Sequence, residues 1–114
     1  MRETLKTENI ATPALNAIQT FHPQIVQEVK EALKAEKIVV VGMRQNPVVK
    51  KAIKNLDAAG LKYKYLEYGG YFSMWKPRLA IKLWSGWPTF PQVFIDQKLI
   101  GGCAELVEHL KTQK

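Results

Sequence analysis

Residues 78–103 have the sequence RLAIKLWSGWPTFPQVFIDQKLIGGC, and they contain most of the information about the fold. Two short apolar runs, residues 92–95 and 98–100, flank the polar pair at residues 96–97. Strand-forming residues on either side of a two-residue polar turn predict a β-hairpin. The glycine pair at residues 101–102 then ends the hairpin, because glycine weakens a regular strand and favours a break in the chain.

The residues upstream of this stretch predict two parallel strands joined by a helix. Residues 38–42 form a continuous apolar and mostly β-branched run, which indicates a strand buried on both faces. Asn46 followed by Pro47 is typical of a helix N-cap with proline in the first helical position, and Gly60 supplies the end of that helix. Tyrosine and lysine alternate in residues 61–67, which indicates a second strand. The short helical crossover makes the two strands parallel.

Three further helices complete the predicted order of elements. A helical apolar pattern begins after Pro23, and a short helix is predicted over residues 78–84. Between the second strand and that short helix, residues 68–77 are predicted as a loop. A last apolar stripe at helical spacing begins at Cys103 and runs towards the C-terminus.

The motifs of the C-terminal half, taken in order, closely resemble those of monothiol glutaredoxins. That family has Arg and Lys four residues apart, then Ser-x-Trp-Pro-Thr-x-Pro-Gln, a hairpin and Gly-Gly-Cys. Arg78 and Lys82 begin the pattern here, residues 85–92 continue it and residues 101–103 complete it, while Ala104 stands in place of an aspartate. The resemblance implies an α/β thioredoxin fold of the glutaredoxin type, with a mixed four-stranded sheet flanked by helices.

The resemblance breaks down at the residue that performs the family's chemistry. In a glutaredoxin, a cysteine at the start of the helix after the first strand attacks a disulfide as the thiolate. The strand and its basic residue Arg44 match the family, but Asn46 stands at the helix start and Cys103 is the only cysteine in the chain. The resemblance therefore implies a glutaredoxin-like protein that is redox-inactive, and it leaves an iron–sulfur cluster without its protein ligand.

Glutathione is the ligand that the resemblance implies, because most of the groups that hold it remain. In the family, the residue before a cis-proline, here Phe90, pairs its backbone with the ligand as an added strand does. Amides at the start of the last helix receive the γ-glutamyl carboxylate, and cations face the glycine carboxylate. The missing aspartate would hold the ligand's ammonium group, and Glu105 is the nearest replacement. The alternative is that these residues only shape the fold. The implied glutathione-binding residues are Arg44, Arg78, Lys82, Thr89, Phe90, Pro91, Gly102, Cys103 and Ala104.

Charge, cysteine content and length restrict the other functions. The net charge is +7, yet the lysines are spread over amphipathic elements, which favours a soluble basic surface over a nucleic-acid interface. The single cysteine, with no membrane-length apolar run and no hydrophobic leader, predicts a cytoplasmic location. A length of 114 residues supports one core, which we expect in a domain over residues 22–114 after a lead-in of residues 1–21.

Two other functions stay open at this point. One is a thiol–disulfide oxidoreductase acting through Cys103, although its place on an apolar stripe favours a semi-buried structural thiol. The other is a protein-docking module that uses the aromatic residues 71–75 together with Trp87. His22 and His109 lack metal-ligand spacing, so we expect both of them at the surface and no metal site.

Overall fold

The structure of the chain, a computed structural model, describes residues 11, 13–14, 22–70 and 73–112. Most of the expected lead-in, residues 1–21, lies outside this part of the chain. None of the described helices is long and apolar enough to cross a membrane. From residue 22 onward the elements are α1 (Pro23–Ala35), β1 (Ile38–Gly42), α2 (Pro47–Ala58), β2 (Lys64–Glu67), α3 (Trp75–Ser85), β3 (Gln92–Ile95), β4 (Lys98–Gly101) and α4 (Cys103–Thr112).

The described strands form a mixed four-stranded sheet in the order β2-β1-β3-β4. Strand β1 runs parallel to β2 and antiparallel to β3, and β3 pairs with β4 as the predicted hairpin. In the centre of the sheet, Val40 lies between Tyr65 on β2 and Val93 on β3. This arrangement confirms the thioredoxin fold of the glutaredoxin type. It also leaves β2 as an edge strand.

The apolar run of β1 is continuous because both faces of the sheet are covered. Val39 and Val41 pack into a cluster with side chains of α1 and α3, including Ile81. Ile38 and Val40 pack into a second cluster, on the side of α2 and α4. All five residues of β1 are buried. A strand with core on both sides needs apolar residues at every position, as the sequence predicts.

Two element boundaries differ from the sequence-based expectation. Helix α3 begins at Trp75 rather than at residue 78, so Pro77 lies inside the first helical turn. Proline is tolerated there because the first four amides of a helix have no partner within it. Strand β2 begins at Lys64 rather than at residue 61, because the amide of Leu61 still donates to the carbonyl of Leu56 and closes the end of α2.

Tyr65 on β2 keeps its hydroxyl proton to unusually high pH. Burial, the charge of Glu67 and the 3.2 Å hydrogen bond that the hydroxyl donates to that carboxylate raise the pKa of Tyr65 from 10.0 to about 12. The unfolded chain releases this proton near pH 10, whereas the folded protein keeps it up to about pH 12. Between these two pH values the folded state therefore holds more protons than the unfolded state, and the free energy of unfolding falls as pH rises. We expect Tyr65→Phe to flatten this fall in the free energy of unfolding, measured by urea titration at pH values on both sides of the interval. An unchanged slope would contradict the assignment.

Candidate functional site

The start of α2 is capped by the side chain of Asn46. Its Oδ1 accepts hydrogen bonds from the amides of Val48 at 2.9 Å and Val49 at 3.0 Å, and Pro47 occupies the first helical position. The predicted cap is therefore present. Amides at this end of a helix carry partial positive charge, which favours a negatively charged or strongly accepting atom. Here the acceptor is a neutral amide oxygen.

The turn before β3 lies against the start of α4. The Phe90–Pro91 peptide bond is cis, both residues are buried, and Thr89 is exposed. A Cβ placed on Gly102 would lie 3.5 Å from the carbonyl oxygen of Pro91, so the helix start and the turn are in close approach. The side-chain amide of Gln92 donates to the Trp87 carbonyl at 3.0 Å and closes the loop that carries the turn. The turn and the helix start thus form one side of the candidate site.

Helix α4 is capped by its own acidic residue. The carboxylate of Glu105 accepts a hydrogen bond from the Gly102 amide at 2.9 Å, as a residue in the third helical position does when it reaches back to the cap. Gly101 makes this possible, because its φ is +131° and a Cβ there would lie 2.6 Å from Cγ of Glu105. The exposed Glu105 is therefore a capping residue, a role that the sequence analysis did not assign. Glutamate three residues after a glycine pair is the signal that could have found it.

Two of the three predicted cations are at least partly exposed, and one of them lies beside the turn. The Lys82 ammonium lies 5.5 Å from the centre of the Phe90 ring, which places it beside the turn. Arg44 follows β1 and is exposed; its Nε lies 3.7 Å from a carboxylate oxygen of Glu67. Its backbone amide donates to the carbonyl of Gly69. Both side chains are open to solvent in part or in full, as a ligand carboxylate requires.

Arg78, the third cation, does not face the site, and this corrects the expectation. Its side chain is only 7% exposed, and Nη1 donates to the carbonyls of Tyr68 at 2.7 Å and Ser73 at 2.5 Å. The guanidinium therefore ties α3 to the segment that leaves β2. The physical reason is that the carbonyls of Tyr68 and Ser73 both face Arg78, and an acceptor that is shielded from water needs a donor. A fixed-charge donor with several N–H groups satisfies two of them at once.

Cys103 and Trp87 are less accessible than a reactive thiol or a docking residue would be. Cys103 is 7% exposed and packs with the apolar side chains between α2 and α4, including Leu106. Trp87 is half-buried, and its indole nitrogen is buried. Within residues 22–70 and 73–112, His, Cys, Asp and Glu form no group of three that could hold a metal ion.

The chain from β1 into β4 matches a known family. Residues 38–100 fit the family model described as Glutaredoxin. The chain belongs to the glutaredoxin family. A glutaredoxin-like protein of Dictyostelium discoideum is 50% identical over 107 residues, which are 94% of this chain and 84% of that protein. Monothiol glutaredoxin-S14, a chloroplastic protein of Arabidopsis thaliana, is 31% identical over 98 residues, which are 79% of this chain and 53% of that protein.

Solved glutaredoxin structures share the fold. Reduced glutaredoxin C1 from Populus tremula x tremuloides superimposes with a TM-score of 0.72 at 26% identity, covering 85% of this chain and 83% of that one. A buckwheat glutaredoxin–glutathione complex superimposes with a TM-score of 0.70 at 25% identity, covering 81% of this chain and 84% of that one. Membership of the glutaredoxin family therefore rests on both sequence and fold, and the relation to monothiol glutaredoxins rests on sequence.

Proposed function

We propose that this glutaredoxin-family protein binds glutathione in the cytoplasm and does not catalyse thiol–disulfide exchange. The observation that carries the proposal is the pair of hydrogen bonds that Asn46 Oδ1 accepts from the first turn of α2. In thiol–disulfide exchange a thiolate must attack sulfur, and helix amides of this kind stabilise that thiolate. A neutral amide side chain caps the same amides but supplies no nucleophile. The remaining thiol, Cys103, is buried in the packing between two helices.

The ligand side of the proposal rests on the groups around the Phe90–Pro91 turn. The cysteinyl backbone of glutathione would pair with Phe90 as an added strand does. Its γ-glutamyl carboxylate would meet the amides at the start of α4, where Cys103 and Ala104 follow the capped Gly102. Lys82 would pair with the glycine carboxylate beside the turn, with Arg44 at the rim. A glutaredoxin of the same fold forms a complex with glutathione, which supports this interpretation.

Reduced glutathione is expected to bind the purified protein, and Lys82→Gln is expected to weaken that binding. Glutamine keeps much of the side-chain length but removes the charge, so the affinity should fall about threefold to tenfold, the range for a partly exposed charge-assisted hydrogen bond. Added salt should weaken binding to the wild type more than to the variant. Isothermal titration calorimetry measures both effects. S-methylglutathione should bind as tightly as glutathione, because the protein offers no partner thiol.

Lys76→Gln is the matched control for this experiment. Lys76 is exposed on the same helix as Lys82, and its ammonium lies 5.6 Å from the Trp75 ring instead of beside the turn. The Lys76→Gln variant removes the same charge as Lys82→Gln but at a position away from the turn. It should therefore leave the glutathione affinity nearly unchanged. Absence of heat and of any protection against thermal unfolding by millimolar glutathione would overturn the binding proposal.

An iron–sulfur cluster does not fit the residues of this site. Such clusters are held by cysteine thiolates, and the chain has one cysteine. That cysteine lies among the apolar side chains between α2 and α4. At the position where the family supplies a thiolate, Asn46 is engaged with two backbone amides. The start of α2 therefore offers a cluster no thiolate ligand.

A second candidate function is protein docking at α3, favoured by the exposure of large apolar side chains there. Trp75 is 59% exposed, Leu83 is 51% exposed and Met74, just before the helix, is 44% exposed. Apolar groups of this size at the surface are typical of an interface. The expected docking residue Trp87 is half-buried, and residues 71–72 lie outside the described chain. The glutathione titration separates the two functions, since docking at α3 needs no small ligand.

A further inference from the structure

A groove separates α2 from the edge strand β2, away from the turn at Phe90–Pro91. The residues of α2 that line it follow one another at helical spacing along one side of the helix; they are Val49, Lys50, Ile53, Lys54 and Asp57. The side of α2 that approaches α4 is a different one, marked by Lys51. The groove is therefore separate from the candidate glutathione site. The two share one residue, Arg44, which is a predicted glutathione-binding residue and also lines the groove.

The floor of the groove is apolar. Met43 and Val49 are nearly buried and Ile53 is half-buried. Gly42 lets this floor form, because a Cβ there would lie 2.8 Å from a methyl group of Val49 and 3.1 Å from the Tyr65 ring. The volume of this open groove is about 520 Å³, within the usual size range of small-molecule sites. An apolar body of the size of one or two rings fits this space.

The two carboxylates in the lining already have partners. Glu67 accepts a hydrogen bond from the Tyr65 hydroxyl at 3.2 Å and pairs with Arg44 at 3.7 Å. Asp57 accepts a hydrogen bond from the Tyr63 hydroxyl at 2.9 Å. The negative charge at each end of the groove is thus engaged with a neighbouring donor.

The ammonium groups between these ends have no such partner among the described residues. Lys50 and Lys54 are four positions apart on α2, so they lie one turn from each other on the same side of the helix. Neither forms an ion pair with a carboxylate in residues 22–70 and 73–112. Like charges at this spacing destabilise a helix, and an anion between them would remove that cost.

We propose that this groove, between α2 and β2, binds a small organic anion that has an apolar, ring-sized body. The apolar body would lie on Met43, Val49 and Ile53, and the anionic group would lie between Lys50 and Lys54. The proposal does not rest on glutathione binding, because the two sites use different helix faces and different lysines.

The distribution of charge selects a small anion over a long polyanion. The groove residues of α2 from Lys50 to Asp57 span about 10 Å, at the rise of an α-helix. The unpaired positive charge covers only one turn of that length, and Asp57 and Glu67 bound it. An acidic peptide or a nucleic acid that extended along the groove would meet these carboxylates, which repel it.

The test uses 1-naphthoate, a planar aromatic carboxylate, added to isotope-labelled protein and followed by amide chemical shifts in NMR spectra. We expect saturable shifts in residues 43–45, 50–54 and 63–67 and none in residues 89–90 and 102–104. The double variant Lys50→Gln/Lys54→Gln should weaken binding at least about fivefold, the effect of losing two exposed charge interactions. The neutral analogue 1-naphthalenemethanol should bind wild-type protein more weakly by a similar factor.

A charge-matched variant decides whether binding depends on the two groove lysines or only on the total charge of the protein. Lys34→Gln/Lys51→Gln removes the same total charge from exposed positions outside the groove. It should bind 1-naphthoate as the wild type does. Equal weakening in both double variants, equal binding of the neutral analogue, or shifts that concentrate at residues 89–90 and 102–104 would each overturn the proposal. Failure here would leave the glutathione result unaffected, because that titration is read through Lys82.

Discussion

The Asn46→Cys variant is expected to gain a thiol of lowered pKa and, with it, measurable glutathione-dependent disulfide reduction, which we propose that the wild-type protein does not perform. The new sulfur would stand where Oδ1 now accepts from the amides of Val48 and Val49. Those donors and the helix dipole stabilise a thiolate over a thiol, and the exposed cations Lys50 and Lys51 act in the same direction. The pKa should therefore fall below the free value of about 8.5.

The measurement is the pH dependence of alkylation rate, made in a Cys103→Ser background so that the protein has one thiol. Ala58→Cys in the same background is the control. Ala58 is exposed at the opposite end of α2, where the dipole disfavours negative charge, so its thiol should titrate at or above the free value. Loss of the Asn46 cap should cost the variant about 1 kcal/mol of stability. If the thiol introduced by Asn46→Cys titrated like a free cysteine and gave no turnover, Asn46 would not occupy the nucleophile position.

Arg78→Ala is expected to cause the largest loss of stability of any single substitution discussed for this chain. It removes a buried donor and leaves the carbonyls of Tyr68 and Ser73 without the partner that they now have. Losing hydrogen bonds from a charged group and stranding their acceptors costs about 2–4 kcal/mol. In a domain of this size the melting temperature should fall by roughly 10 °C or more.

Two further variants separate the role of Arg78 from a general effect of charge. Arg78→Lys keeps the charge but offers a single compact donor group, so it should recover only part of the stability. Lys82→Ala, one turn further along α3, removes a partly exposed cation and should cost less than about 1 kcal/mol. Circular dichroism melts measure all three. A melting temperature for Arg78→Ala that matched Lys82→Ala would mean that the two carbonyl contacts contribute nothing to folding.

The sequence predicts the sheet well because its central strands carry a strong signal. β1 and β3 are found at the predicted residues, since their runs of apolar residues follow directly from burial on both faces. The start of α3 is not predicted. A proline such as Pro77 usually indicates a loop, and the sequence alone does not show that this proline falls at the start of a helix, where it is tolerated. Only the structure shows that it falls in the first turn.

The site is predictable to the extent that its residues act locally. Asn46 caps the helix that it precedes, and this needs only the residues next to it. Arg78 binds carbonyls whose positions depend on the path of the chain between β2 and α3, which a linear motif does not contain. The groove at Lys50 and Lys54 is likewise absent from any motif, because its lining comes from the end of β1, from α2 and from β2.

Because the Glu105 carboxylate accepts a hydrogen bond from the Gly102 amide, it competes with any anion from solution for that amide. The carboxylate is tethered three residues from the amide that it occupies, so its effective concentration there exceeds that of ordinary solutes. A carboxylate arriving from solution gains this amide only during the fraction of time that Glu105 is away, and its apparent affinity falls by that fraction. The start of α4 therefore responds to a carboxylate ligand at higher concentrations than an uncapped helix end would.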